Sequence, residues 1–452
     1  MTRSAMVLGL VAWIAGSALA DEMANPVYRF EPGMHLHYDS DTESKRESGE
    51  TQYAMKITHD LWILNAVEGG GWKALYSEGR AFRSGESDYQ NQDTNVIFIT
   101  IRPTGQIEAV PMALLLCNPA AVIVPLPANE SEAAGGWQQF NEIDQATTRY
   151  RRLEDSSGST WKIEVTDLSP TNTVYEMTSS RVFDFDTGKG FVTGVESTSS
   201  MGYGSKSTST TKVVLAEETM LEPDALNALV KEVATFEPAL ARIDELIEMA
   251  SRQGDREDEL LSEAESHIAL LETDIQSEIL KAQTEAKRKQ FEGMKGYLKE
   301  NAERIRAVKG KAAAAWEYPG LDGATHSLAE YKGKVLILDF WYRGCGWCIR
   351  AMPQLKALSE QYKDKPVAVI GINVDRNEED AKFVAEKLEL PYTNILTGPM
   401  GGEDSISKKY GVQGYPTLVI VDKKGKIHDM HVGYSPTLRA DLSEIIDDLL
   451  AE

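Results

Sequence analysis

The sequence predicts a multidomain chain: an antiparallel β-rich N-terminal domain, a helical hairpin or coiled-coil spacer, and a C-terminal α/β unit. Three observations carry this reading. Over residues 21–220, runs of alternating apolar residues are punctuated by glycine-rich turn signals; over 221–308, apolar residues recur at seven-residue spacing among charges; over 309–452, buried-strand runs alternate with helical ones. The length of 452 residues fits two to four domains of roughly 100–200 residues each.

Residues 1–20 read as a secretory signal peptide. Arg3 gives a positive start, Val7 to Ala15 is a short apolar run, and Ala18-Leu19-Ala20 is a small-x-small cleavage site before Asp21. The run falls short of the about 20 residues of a membrane span. The expectation is an exported protein of the periplasm or cell envelope. Acidic residues outnumber basic ones, 70 to 47, for a formal net charge of -23, and no strongly basic patch offsets them. A phosphate backbone would be repelled, so nucleic acid is not an expected partner.

In residues 21–220, Tyr53, Met55 and Ile57 alternate, and Leu61 to Val67 and Trp72 to Tyr76 flank Gly69-Gly70-Gly71, a hairpin signal. Val96 to Ile101 precedes the turn Pro103-Thr104-Gly105. Phe183-Asp184-Phe185, Thr187-Gly188-Lys189-Gly190 and Phe191-Val192 form a third strand–turn–strand, and the Ser/Thr/Gly-rich stretch 197–211 reads as a long hairpin or an edge strand. The expected architecture is a sandwich or half-barrel. His35 and His37 share a strand face but read as sheet histidines, and Asp184-x-Asp186 reads as a turn rather than a calcium loop, which needs more acidic ligands. Cys117, after Leu114-Leu115-Leu116, reads as a buried free thiol.

Between 221 and 308, Leu226, Val233, Leu240 and Ile247 form one row and Leu229, Phe236, Ile243 and Ala250 its companion, the two stripes of a helical seam. Pro238 is expected to kink or divide the helix. A turn at 251–255 precedes a second run through Leu261, Ile268, Leu271, Ile275, Phe291, Leu298 and Ile305. The same stripe serves a spacer or a homodimer contact.

In residues 309–452 the order is an initial hairpin, strand 335–342, helix 346–362, strand 367–373, helix 377–388, a short helix near 404–410, strands 417–421 and 427–432, and helix 437–450. Cys345-Gly346-Trp347-Cys348 lies at the first strand-to-helix junction. There the unpaired amides and dipole of the helix stabilise a thiolate. A Cys-x-x-Cys alone suits a redox pair or half a zinc site. Zinc needs further ligands, and His428 and His431 lie about 80 residues away on one strand. No metal and no cofactor are expected; a c-type haem would need His where Ile349 stands.

Asp339-Phe340-Trp341 before the cysteines, the Cys345–Cys348 motif, Pro353 in the following helix and Gly414-Tyr415-Pro416-Thr417 together resemble the thioredoxin superfamily. Gly320-Leu321-Asp322-Gly323, Lys332-Gly333-Lys334 and Ile372-Asn373-Val374-Asp375 resemble its exported redoxin, TlpA-like branch. Gly344 and Trp347 depart from residues common beside and within the motif. The resemblance implies a thiol–disulfide oxidoreductase. Cys345 would be the exposed nucleophile, Cys348 the buried resolving thiol and Asp339 a buried acid that takes the proton of Cys348. Pro416 would be cis and expose the Tyr415 backbone to a substrate chain, with Trp341, Trp347 and Tyr415 shaping an apolar rim, although Trp341 reads equally as a core residue. Partners would be protein disulfides and an upstream membrane thiol reductant. The rival reading is an envelope scaffold whose C-terminal module is mainly structural.

Overall fold

The computed structural model describes residues 25–452 apart from 92–93, 110–113, 115–116, 142–145, 155–158, 169–175, 204, 253 and 400–404. The expected signal peptide and the Asp21 start lie outside the described residues.

The N-terminal domain is one antiparallel sheet. Its strands are β1 (Met34–Arg46), β2 (Thr51–Ala66), β3 (Trp72–Ser84), β4 (Gln90–Asn91), β5 (Asn95–Ile101), β6 (Ile107–Glu108), β7 (Trp137–Asn141), β8 (Ala146–Arg152), β9 (Thr160–Leu168), β10 (Glu176–Asp186), β11 (Phe191–Tyr203) and β12 (Ser205–Met220). They lie in the order β6-β5-β3-β2-β1-β12-β11-β10-β9-β8-β7, with β4 beside β3; a short helix, α1 (Glu130–Gly135), precedes β7. Ile97 and Ile99 from one end of this order share a core with Trp137 and Tyr150 from the other. The sheet therefore curls, as a half-barrel does, over a plug formed by Val122, Ile123 and Val124. Tyr28 pins the plug: its hydroxyl donates to the Val124 carbonyl at 3.0 Å and accepts from the Val124 amide at 2.8 Å. The stretch 197–211 belongs to a hairpin between β11 and β12 in the middle of the sheet, not at an edge. His35 and His37 share a face, and each bonds Asp60 Oδ1 at 2.8 Å. Among the described residues no group of three or more His, Cys, Asp or Glu could hold a metal. Asp186 closes a turn, accepting from the amides of Gly188 and Lys189 at 2.8 and 3.0 Å.

The helical segment differs from the expected hairpin. It forms three helices, α2 (Pro223–Arg252), α3 (Glu257–Asp274) and α4 (Glu278–Val308). Pro238 sits inside α2 without dividing it. A proline inside a helix costs one helical hydrogen bond, and Pro238 itself is exposed, but Phe236 and Ile243 on either side are both 0% exposed, and their burial holds the helix together. The second run breaks instead at Ile275, which is extended. Ser277 then caps α4 by accepting from the Leu280 amide, and the Glu232 carboxylate accepts from the amides of Gln276 and Ser277 at 3.1 and 3.0 Å. These helices share a core with Trp62, Leu64, Leu75 and Val96 of the sheet, so the segment is packed against its neighbour.

The C-terminal unit opens with the hairpin β13 (Glu317–Pro319) and β14 (Thr325–Ser327). A five-stranded sheet follows from β15 (Val335–Trp341), β16 (Val367–Asn373), β17 (Thr393–Leu396), β18 (Thr417–Val421) and β19 (Ile427–Val432), in the order β17-β16-β15-β18-β19. β15 runs parallel to β16 and antiparallel to β18, and all seven of its residues are buried. Helices α5 (Gly346–Gln361), α6 (Glu378–Lys387), α7 (Ile406–Lys409) and α8 (Leu438–Ala451) complete it. Residues of α5 and α8 pack with Val335 and Ile337 on one face, while Leu336, Leu338 and Phe340 meet Tyr410, Trp316 and Ile305 on the other. This is the thioredoxin fold the sequence predicts.

Candidate active site

The site is built where β15 ends and α5 begins. Cys345 is the N-cap of α5, and its Sγ accepts from the Cys348 amide at 3.1 Å. The two cysteines are joined in a disulfide. Cys345 is 6% exposed and Cys348 1%. Both are buried in this disulfide form, so the exposure expected of Cys345 is not seen; Cys345 is the less buried of the two and the one at the helix N-terminus, where a thiolate gains from the free amide and the dipole.

Asp339 alternates along β15 with Ile337 and Trp341, so all three face the α5 side. Ile337 packs with Ala351 and Leu355 of α5, and Trp341 with Cys345, Cys348 and Met352. The carboxyl between them lies beneath the first turns of the active-site helix. It is 1% exposed and neither oxygen has a hydrogen-bond partner. Burial without a compensating charge pushes its pKa up to about 7. Such a group can exchange a proton near neutral pH.

Trp341 is 0% exposed, and its Nε1 donates to Asn394 Oδ1 at 3.1 Å. Of its two expected places Trp341 takes the core, and the rim role is corrected: an indole sealed under the cysteines cannot touch a substrate chain. Gly371 makes room for it, since a Cβ there would intrude on the Asn394 amide and stand 2.9 Å from Trp341 Nε1. Trp347 does lie on the rim. It is 49% exposed, with its ring 5.5 Å from that of Tyr434 and the Arg350 guanidinium 5.4 Å above it. We expect Trp341→Ala to cost about 3–5 kcal/mol of stability and Trp347→Ala about 0.5 kcal/mol or less, a contrast that denaturant titration reads directly.

The Tyr415–Pro416 peptide is cis. The Tyr415 ring stands edge-on to Tyr342 at 5.5 Å, and its hydroxyl meets Ser407 Oγ at 3.2 Å, so the side chain is half-buried beside the cysteines. The Pro416 carbonyl accepts from the Gly433 amide at 2.9 Å.

Sequence reasoning missed the residues that fix the loop before Cys345. The Arg343 amide donates to Asp375 Oδ2 at 2.9 Å, its guanidinium bonds Asp380 at 2.8 Å, and that guanidinium lies 4.2 Å above the Phe383 ring. Asp375 stands in the Ile372–Asp375 stretch already singled out, which is the one signal that could have found it. Cys117 lies far from this site in chain and core. It is buried, and burial pushes its thiol pKa up to about 12. We expect iodoacetamide at pH 8 to leave Cys117 unlabelled in the native, oxidised protein and to label it fully in denaturant; mass spectrometry reads both states.

A family model described as Redoxin matches residues 307–449. The chain is 30% identical over 146 residues to the thioredoxin-like protein YneN of Bacillus subtilis, an alignment covering 32% of this chain and 82% of that protein. It is 28% identical over 131 residues to the thiol-disulfide oxidoreductase ResA of Geobacillus thermodenitrificans, covering 29% and 73%. Among solved structures it is similar to a thiol-disulfide oxidoreductase from Bacteroides fragilis, with 26% identity, 30% of this chain and 99% of that chain covered, and a TM-score of 0.27.

Proposed function

Because the chain belongs to the redoxin family of thioredoxin-like proteins, we propose that it is an exported thiol–disulfide oxidoreductase that passes electrons from Cys345 and Cys348 to disulfides of client proteins. The observation that carries this reading is the cysteine pair at the α5 N-terminus, with Cys345 at the N-cap and an unpartnered buried carboxyl, Asp339, on the strand that leads into it.

In the reduced form the Cys345 thiolate attacks one sulfur of a client disulfide. The client S–S bond breaks, a mixed disulfide forms and one client thiolate leaves. Cys348 gives its proton to the Asp339 carboxylate and attacks Cys345 Sγ. The second client thiol departs, and two electrons have moved to the client. Trp347 and the Tyr415 backbone form the surface on which the client segment lies. A membrane thiol reductant returns the pair to the dithiol state. Export rests on the Arg3, Val7–Ala15 and Ala18-Leu19-Ala20 pattern.

Acid quenching of cells, alkylation and counting of modified cysteines tests the direction. A reductant rests largely as the dithiol in its compartment and turns to the disulfide when its electron supply is cut. A pair found as the disulfide under both conditions contradicts the reductant reading.

A further inference from the structure

Two loops frame the disulfide, and each is tied to a different helix of the α2–α4 unit. The first is Gly433-Tyr434-Ser435. Ser435 is 2% exposed; its carbonyl accepts from Gln354 Nε2 of α5 at 2.9 Å, and its hydroxyl donates to Glu248 Oε1 of α2 at 3.2 Å. Between the active-site helix on one side and α2 on the other, Tyr434 stacks on Trp347. The second loop is Gly414-Tyr415-Pro416. Gln413, immediately before it, accepts through Oε1 from the Arg304 guanidinium of α4. That guanidinium also bonds Asn301 Oδ1 at 2.9 Å, and Asn301 Nδ2 reaches the Ser251 carbonyl near the end of α2 at 2.9 Å. The bond from the Gly433 amide to the Pro416 carbonyl joins the two loops. α4 itself is continuous with the redox unit, because Ile305 lies in that unit's core.

A tether would need none of these bonds, and a docking face alone would place them anywhere along the β19 edge. They fall instead on the residues flanking Tyr434 and Tyr415. We infer that Glu248 and Arg304 are positioning residues for client recognition, so that the helical unit forms one wall of the client site and the site fits an extended peptide segment around a disulfide. This rests on the reading of Cys345 and Cys348 as a client-directed exchanger. Neither residue touches the reacting sulfurs, so their effect must be confined to substrates large enough to reach the two loops.

The test uses the full chain in its reduced form and two probes: a pair of short peptides joined by one disulfide, and 2-hydroxyethyl disulfide. Rates are read by quenching and alkylation. Glu248→Ala and Arg304→Ala are expected to slow the peptide probe about tenfold, equivalent to about 1.4 kcal/mol, and to leave the small disulfide unchanged. Glu248→Gln, whose amide oxygen still accepts from Ser435, restores the peptide rate. Ser435→Ala removes the same bond from the loop side and must show the same selective loss, which keeps the test decisive if a helix variant misfolds. Equal change on both probes, or change on neither, overturns the inference while leaving the exchange reading intact. A wild-type protein inert toward both probes removes the exchange reading and this inference together.

Discussion

Cys345→Ser is expected to abolish disulfide exchange completely, while Cys348→Ala is expected to arrest it half-way. Serine at the N-cap keeps the helix start but offers no thiolate, and exchange proceeds only by thiolate attack on sulfur. With Cys345 alone, the attack still occurs and the mixed disulfide persists, because the thiol that would release it is gone. Non-reducing electrophoresis and intact mass of client mixtures distinguish the two: no adduct for Cys345→Ser, a one-to-one adduct for Cys348→Ala. The N-cap position of Cys345, the less buried of the two, is the basis of this asymmetry. Adducts on Cys348 in a Cys345→Ser protein would reverse the assigned roles. A module that is mainly structural gives no adduct with either variant and leaves partner binding unchanged.

The second large effect is on stability against pH, and it isolates Asp339. In the oxidised protein Cys345 and Cys348 do not titrate. The Asp339 carboxyl has a pKa pushed up by burial to about 7, from an ordinary 3.8. Below pH 4 both folded and unfolded chains hold this proton, so pH has no effect through it. Between about pH 4 and 7 the unfolded chain releases the proton and the folded chain keeps it, so stability falls as pH rises. Above pH 7 both are ionised and the loss stops growing, at a size on the order of 4 kcal/mol. Asp339→Asn removes the titration. The variant is therefore expected to gain stability relative to wild type as pH rises from 4 to 8, with the difference levelling off beyond. Thermal unfolding midpoints of the two oxidised proteins across this range measure it. A gap that is constant in pH would show that the Asp339 pKa is not raised by folding and would remove the case for proton exchange by this group near neutral pH.

Much of the redox unit was legible because its signals are local. Val335 to Trp341 is a run of residues that the fold buries without exception, apolar but for Asp339, and such a run reads as a central strand of a small α/β unit. The strand-to-helix position of Cys345 followed from that run. β17 escaped notice because it is a four-residue edge strand, Thr393–Leu396, with two polar residues and no periodicity. Pro238 misled because propensity counts a lost hydrogen bond but not the burial of Phe236 and Ile243 around it. The break at Ile275 carried a readable sign, Ser277 at a cap position, but the continuing apolar stripe outweighed it. Trp341 and Trp347 have the same side chain and lie six residues apart; only the turn between strand and helix sends one into the core and the other to the rim. The bonds from Glu248 to Ser435 and from Arg304 to Gln413 span 187 and 109 residues, beyond the reach of any pattern of spacing.

The reduction potential of the Cys345–Cys348 pair in the full chain decides whether the pair is a reductant. Equilibration with a defined thiol buffer, followed by counting of alkylated cysteines, gives it. The proposed reductant predicts a value near about -270 mV, in the range of thioredoxin, whereas a value near about -120 mV would mark a disulfide donor and contradict the direction of electron flow. A pair that does not titrate at all would contradict exchange itself.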